Sequence, residues 1–264
     1  MLKEGLLRVQ SLIDVKGIPG LSEIGADDGH VTIGATATHR AVERSEIVQA
    51  RCPLVARVAR HVANIRVRTV GTVGGNLAFA DPHSDLATVF LTFDAVVRLA
   101  SAHGERELPL ADFVRGPYET ARADDEVLAA VDLRAWPAGT AGAYVKFGVH
   151  ERPTLGVAIA LTLAGGGSAV SDARVAVGCV GPRPHRVGAA EERLRGWSAD
   201  DVGRHADEIA ALAIRDLEAV DDLHGSAEYK REMTRVFVRR VLGVAAARAA
   251  GGERHERYPH TVIV

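Results

Sequence analysis

Cysteine is scarce: 264 residues contain only Cys52 and Cys179. The two are far apart and lack metal-ligand spacing, so both read as small core residues. An iron–sulfur cluster takes four cysteines, which excludes one housed by this chain alone. No apolar run reaches membrane-spanning length, and Met1–Gly5 opens without the apolar stretch of a signal peptide. A cytoplasmic protein is expected. Net charge is -2, too small to argue for nucleic acid or an anionic membrane as partner. The densest basic stretch, Arg231 to Arg240, reads as the polar face of a helix. Aromatic residues are only 5% of the chain, against 47% apolar types in all. The core must therefore be largely aliphatic, and there is enough of it for one large domain or two modest ones.

The dinucleotide fingerprint G-x-G-x-x-G is absent, and so is the Lys-Ser/Thr of a phosphate-cradling NTPase loop. What is present is Gly71-Thr72-Val73-Gly74-Gly75-Asn76. Paired glycines can take φ > 0 and let a ligand approach the backbone. In such a turn, successive N–H groups form a nest suited to an anion or a carbonyl oxygen. Thr72 and Asn76 add side-chain donors and acceptors. Nine residues after Asn76, Asp85 lies in a second polar turn, Ala80-Asp81-Pro82-His83-Ser84-Asp85-Leu86. The two turns, joined by Leu77-Ala78-Phe79, read as two walls of one crevice. The bland alternatives are a plain turn for the glycine pair and a helix cap for Asp85 or Ser84. His39 is expected to bond locally or face solvent.

The remaining elements follow from pattern. Leu2–Leu12 suggests a short helix, Gln10–Val15 the start of a strand, and Asp27-Asp28-Gly29 a hairpin turn. Thr36 or Thr38 caps a helix from His39 to Val48. Pro53 opens a helix with Leu54, Val58 and Val62 on one face, ending near Asn64. Leu86–Phe93 reads as a short buried helix, and Val96–Ala100 and Val131–Leu133 as strands. The Pro/Gly/Ala-rich Trp136–Gly142 marks a domain boundary. Beyond it come strands at Ala143–Val149, Leu155–Ala164 and Ala173–Val180, with Gly165–Ser168 as a hairpin turn. Helices follow at Ala199–Leu217 and Ala227–Ala249, the second with Tyr229, Met233, Val236, Phe237 and Leu242 as its core side. The end, Thr261–Val264, suits a loose terminus or a strand docking on a partner.

The composite string from Arg66 to Ala78, followed by Ala80–Leu86, resembles the signature of the FAD-binding (medium) subunit of molybdenum hydroxylases. This is the family of the carbon monoxide dehydrogenase medium subunit and the FAD domain of xanthine dehydrogenase. Asp125-Glu126-Val127-Leu128, Tyr144-Val145-Lys146-Phe147 and His224–Arg231 resemble later family segments in the same order. The resemblance implies an α+β fold: a vanillyl-alcohol-oxidase-type FAD-binding domain at 1–136, lacking its N-terminal piece, then a small domain at 140–245 with a three-stranded antiparallel sheet and helices, and a tail at 246–264. It implies FAD contacts at Thr72, Val73, Gly74, Gly75, Asn76, Asp85, Leu128 and Lys146, with no catalytic side chain. For Lys146, a solvated or salt-bridged lysine on a strand is the plainer alternative. The family's earlier glycine-rich pyrophosphate loop has no counterpart before Gly71.

The function implied is electron transfer, from iron–sulfur centres in a small subunit to FAD and on to an external acceptor. Molybdopterin sits in a large subunit, and the assembly is a heterotrimer or its dimer. Two other readings stand beside it: a scaffold subunit without cofactor, and a stand-alone flavin oxidase. The absence of an obvious base or flavin-linking loop counts against the last.

Overall fold

The computed structural model describes Gly5 and residues 9–148, 152–165 and 169–264. Most of the expected first helix, the last residue of the strand ending at Val149, and residues 166–168 of the expected hairpin turn lie outside these. The chain from Gln10 to Val15 is irregular rather than a strand.

Two five-stranded antiparallel sheets carry the fold. Strands β1 (Ile24–Asp27) and β2 (His30–Gly34) make the expected hairpin, with Asp28 and Gly29 both at positive φ. After β3 (Val96–Ser101) and β4 (Gly104–Pro109), a ribbon of β5 (Val114–Gly116) and β6 (Glu119–Thr120) precedes β7 (Val127–Arg134). The first sheet runs β1-β2-β7-β3-β4. The second is built on β8 (Thr140–Phe147), β9 (Leu155–Leu163) and β10 (Val170–Gly178). These are the three expected strands, but the sheet has five: β11 (His185–Arg186) pairs with β10, and β12 (Thr261–Ile263) pairs with β8. The C-terminal strand thus docks on its own chain, and Val262 sits opposite Lys146.

Capping chemistry explains where helices divide. Thr38 caps His39–Arg44, and Ser45 caps a separate helix Glu46–Arg51, where one longer helix was expected. Pro53 starts Pro53–Arg60 as anticipated, with Leu54 and Val58 buried. Asn64 does not end that helix but caps another, Ile65–Val70, none of whose residues is buried. Ser198 and Asp201 form a reciprocal capping box for Ala199–Arg204, and a new helix runs Ala206–Arg215. The long helix Ala227–Ala249 matches its expected bounds. Its buried face differs: Lys230, Thr234, Phe237, Val238, Val241 and Leu242 are inside, while Tyr229 is exposed.

The second sheet shows two chemically different faces, because side chains alternate along a strand. Val145, Val157 and Val175 point to the C-terminal helices and their aliphatic core. Tyr144, Ala158 and Ala176 point the other way and join the core of the first unit. Against that second face lies the helix Asp85–Leu91, all seven residues buried. It packs on β9, β10 and β11 and also on the helix Pro53–Arg60. Gly156 and Gly178, opposite each other in register, permit the approach. A Cβ on Gly156 would overlap the Tyr144 hydroxyl, and one on Gly178 would overlap the Thr88 hydroxyl.

Candidate functional site

The segment Thr72–Asn76 is not a left-handed turn. Val73–Phe79 is a helix, and neither Gly74 nor Gly75 takes positive φ. Thr72 is its cap, with Oγ1 accepting from Gly75 N at 3.0 Å. Gly74 N donates to Ala35 O at 2.8 Å, and Val73 N donates to Ala37 O at 2.9 Å. Asn76 N closes the turn on Thr72 O at 2.9 Å. The expected nest of free amides therefore does not exist; the protein consumes them itself. Glycine at 74 answers a packing need, since a Cβ there would lie 2.5 Å from the Ala35 Cβ. Gly75 differs: it is exposed, and its Cβ would meet only Thr72 Oγ1, at 2.8 Å. Val73 is buried beneath it.

The two polar turns do meet. Ser84 Oγ donates to Asn76 Oδ1 at 2.7 Å. Ser84, not Asp85, is the side-chain cap of Asp85–Leu91, accepting from Ala87 N. Asp85 is freed for another task. Its Oδ1 accepts from the Tyr144 hydroxyl at 2.7 Å, and its Oδ2 accepts from Lys146 Nζ at 2.8 Å. Lys146 Nζ also reaches His61 O at 3.4 Å. Asp85 is 6% exposed and the Lys146 side chain 11%. Lys146 is thus the salt-bridged lysine of the plainer reading, placed at the seam between the two units. Burial first, and then the neighbouring Asp85 carboxylate, push the Tyr144 phenol far above its ordinary range, so it stays a hydrogen-bond donor. Burial likewise raises the thiols of Cys52, to about 12, and Cys179, keeping both protonated.

Leu128 stands apart. It lies on β7 opposite Leu99, is 5% exposed and belongs to the first core. The helix Val73–Phe79 packs on that strand.

Sequence reading missed Tyr144 as a partner of Asp85. The signal was its i, i+2 spacing from Lys146 on a strand, which puts both on one face. His39 was misplaced: it is 3% exposed, and its Nδ1 has no hydrogen-bond partner. Four buried side-chain polar atoms lack a hydrogen-bond partner among the described residues: Thr36 Oγ1, His39 Nδ1, and the ion-paired Glu43 Oε2 and Arg68 Nε. His39 lies beside the Gly71–Thr72 segment, where its N donates to Gly71 O and Thr38 bridges to Thr72, and Arg68 pairs with Glu43 at 3.8 Å.

The motifs near the C-terminus also come together at the seam. His83 Nδ1 is 2.7 Å from Pro153 O, and its Nε2 is 3.3 Å from Asp222 Oδ2. The same carboxylate binds the fully buried Lys230 at 2.6 Å. The His83 and His224 rings lie 4.4 Å apart. The polar turn before Asp85 is thereby anchored to the His224–Arg231 segment.

Flavin adenine dinucleotide is large, with a flat apolar ring, a hydroxylated chain and charged phosphates. An exposed Gly75 on the helix that Asn76 ties to Ser84, and an ion-paired Lys146 held by the adjacent Asp85, are features that fit such a group. Among the described residues, no helix is long and apolar enough to cross a membrane.

Comparison with known proteins agrees with this chemistry. Residues 1–136 match the family described as the FAD binding domain in molybdopterin dehydrogenase, and residues 148–245 match the CO dehydrogenase flavoprotein C-terminal domain. The chain is 33% identical to the carbon monoxide dehydrogenase medium chain of Hydrogenophaga pseudoflava, over 95% of this chain and 86% of that one. It is 31% identical to the nicotine 6-hydroxylase medium subunit of Paenarthrobacter nicotinovorans, over 90% and 82%. Among solved structures it resembles the reconstituted CO dehydrogenase from Oligotropha carboxidovorans, with TM-score 0.84 and 30% identity over 89% and 82% of the chains. Quinoline 2-oxidoreductase from Pseudomonas putida 86 is similar, with TM-score 0.83 and 30% identity over 90% and 82%. With both units matched in order along one continuous chain, the protein belongs to the FAD-binding medium-subunit family of the molybdenum hydroxylases, oxidoreductases whose molybdopterin and iron–sulfur centres lie in other subunits.

Proposed function

We propose that this chain is the electron-transfer flavoprotein of a heteromeric molybdenum hydroxylase, working with a molybdopterin-binding large subunit and an iron–sulfur small subunit in a heterotrimer or its dimer. Residues 1–136 serve as a FAD domain of the vanillyl-alcohol-oxidase type, 140–245 as the small second domain, and 246–264 as its tail. Bound FAD supplies the redox chemistry: it takes electrons from iron–sulfur centres and gives them to an external acceptor. The chain's residues hold and orient it. The proposed contacts are Thr72, Val73, Gly74, Gly75, Asn76, Asp85, Leu128 and Lys146, with roles set by the geometry. Gly75 offers a bare surface, and Gly74 keeps the helix tight against Ala35. Lys146, fixed by Asp85, places a cation where negative charge on a ligand is favoured.

The observation that carries this reading is the seam itself. Asn76–Ser84 and Tyr144–Asp85–Lys146 form two short hydrogen-bonded links that bring the matched segments of both units to one place. The test is a visible spectrum of the protein purified with its partner subunits. Flavin bands near roughly 370 and 450 nm are expected, since the cofactor carries the chemistry. A colourless, intact complex rules the reading out.

A further inference from the structure

The tail after the helix Ala227–Ala249 folds back as β12, and with His61, the residue after the helix Pro53–Arg60, it walls a cavity of about 410 Å³. None of the flavin contacts named above lines it. Three separate stretches bring cations to its wall: His61, Arg248, and Arg254 with Arg257. Gly243 makes room for one of them, since a Cβ there would meet Arg254 Nη1 at 2.8 Å. The carboxylates of the tail are already engaged. Glu256 accepts from Arg254 Nε at 2.6 Å and from the Tyr258 hydroxyl, and Glu253 lies 3.3 Å from His255 Nε2. Among the described residues, no carboxylate forms an ion pair with Arg57, Arg248 or Arg257. Arg248 spends one N–H on Gly142 O, at 3.0 Å. The exposed Arg257 side chain has no hydrogen-bond partner among the described residues.

These cations act on one another. Burial, and then the charge of Arg248, press the Arg57 pKa below its ordinary value, with Glu253 opposing. Burial first, and then Arg60 and Lys146, do the same to the His61 imidazole. Arginines keep their charge regardless. The wall therefore holds a positive excess in a chain whose net charge is -2. Like charges lining a cleft focus a field that draws an anion. Planar guanidinium forks match phosphate oxygens two at a time. The outer edge of β12 adds a neutral donor. Val264 exchanges both backbone bonds with Tyr144, so the alternate residue Ile263, which lines the cavity, turns its N–H away from β8. The volume falls in the range of small-ligand pockets, about 300–1,000 Å³. We propose that this cavity is a site for a phosphate-bearing small molecule, held by Arg248 and Arg257 in the positive field of Arg57. The site does not depend on the flavin reading. Two sources share the chemistry: the diphosphate of FAD and a separate phosphorylated compound.

The experiment titrates the full chain with inorganic diphosphate by calorimetry, with sodium chloride of equal ionic strength as the control. Saturable binding above that control is expected. Arg257→Gln changes an exposed side chain without a partner, so it should fold normally. Loss of one charge-assisted bond should weaken diphosphate about tenfold. Arg248→Gln should do the same. Arg257→Lys, which keeps the charge but not the fork, should fall between. Arg115→Gln removes a charge outside the lining and should change nothing. Fluorescence-quenching titrations with FAD and riboflavin, which lacks phosphate, then identify the source. FAD weakened in Arg257→Gln with riboflavin unchanged gives the site to the cofactor's own diphosphate. Both flavins unchanged, with diphosphate weakened, gives it to a separate phosphorylated compound. No saturable diphosphate binding by the wild-type chain overturns the proposal and leaves the arginines to water. Equal diphosphate affinity in the wild type, Arg257→Gln and Arg248→Gln overturns it too. A chain that binds diphosphate but neither flavin still carries this site, so its failure and that of the flavin reading are told apart.

Discussion

Asp85 and His39 are almost equally buried, at 6% and 3% exposure, yet their surroundings are opposite. Asp85 has a partner on each oxygen, both from the second sheet. The His39 Nδ1 atom has none. The first is a closed account: the protein supplies donors for a charge it has buried. The second is open, and the open one borders the segment that the resemblance implicates in cofactor contact. Equal burial thus says little about whether a side chain is satisfied. The contrast also separates a side fixed by bonds between the units from one held by packing alone.

Removing the closed side should have the largest effect. Asp85→Ala leaves the Tyr144 hydroxyl and the Lys146 ammonium buried without their shared partner. Breaking one member of a buried pair costs about 3–5 kcal/mol. Denaturant unfolding should show that loss, along with lower flavin occupancy. A drop below about 1 kcal/mol would mean that the carboxylate is dispensable and the contrast with His39 false.

Next in size is a pH effect from the open side. His39 titrates at about 4 in the fold against its usual 6.5, chiefly because of burial and then Arg68. Between those values the unfolded chain takes up a proton that the folded chain refuses. Stability is therefore full above pH 6.5, falls as the pH drops, and levels off below about 4. The total is about 3 kcal/mol. The Arg68 guanidinium acts on the same ring, and Glu43 pairs with it at 3.8 Å. His39→Leu should remove that part of the acid slope, measured as the difference between the unfolding curves of the two proteins. An unchanged slope would show that the ring is not held neutral.

Much of the fold was legible, for identifiable reasons. Pro53 and Asp28-Gly29 are local signals, and the helix start and the hairpin they govern came out as expected. Asp85 and Lys146 were each singled out through resemblance, but their mutual bond was not legible. Residues 61 apart meet only because β8 and the helix Asp85–Leu91 pack face to face, and no local pattern encodes that. The glycine pair misled because glycine serves two ends. Where backbone freedom was inferred, the need was room: the first turn of a helix pressed on Ala35. His39 was missed because a histidine after a capping threonine looks like surface. Its burial depends on Gly71, 32 positions later in the sequence.

A smaller effect tests how tightly the closed side is fitted. Gly156→Ala puts a methyl where the Tyr144 hydroxyl lies. Overpacking of this kind costs about 1–3 kcal/mol. In a Tyr144→Phe background the obstructing oxygen is gone and ring carbons at 3.1 and 3.2 Å remain, so the same Gly156→Ala change should cost less. The double-mutant cycle reads that difference directly. Additive losses would place the strain elsewhere and weaken the argument that glycine sets the distance between helix and sheet.

The smallest expected change sharpens the comparison at Gly75, which sits between the two sides. Thr72 Oγ1 accepts from Gly75 N and caps the helix Val73–Phe79, so Thr72→Ala should cost about 1 kcal/mol. Gly75→Ala must move the same hydroxyl, because its Cβ would stand 2.8 Å from it, yet no other atom lies within 4 Å. The two changes therefore compete for one atom, and their costs should not add. If Gly75 is kept bare for a ligand, Gly75→Ala in the Thr72→Ala background should restore stability while flavin affinity still falls. Thermal unfolding and flavin titration on the same preparations separate the two effects. Recovery of both together would mean that Gly75 serves the cap alone.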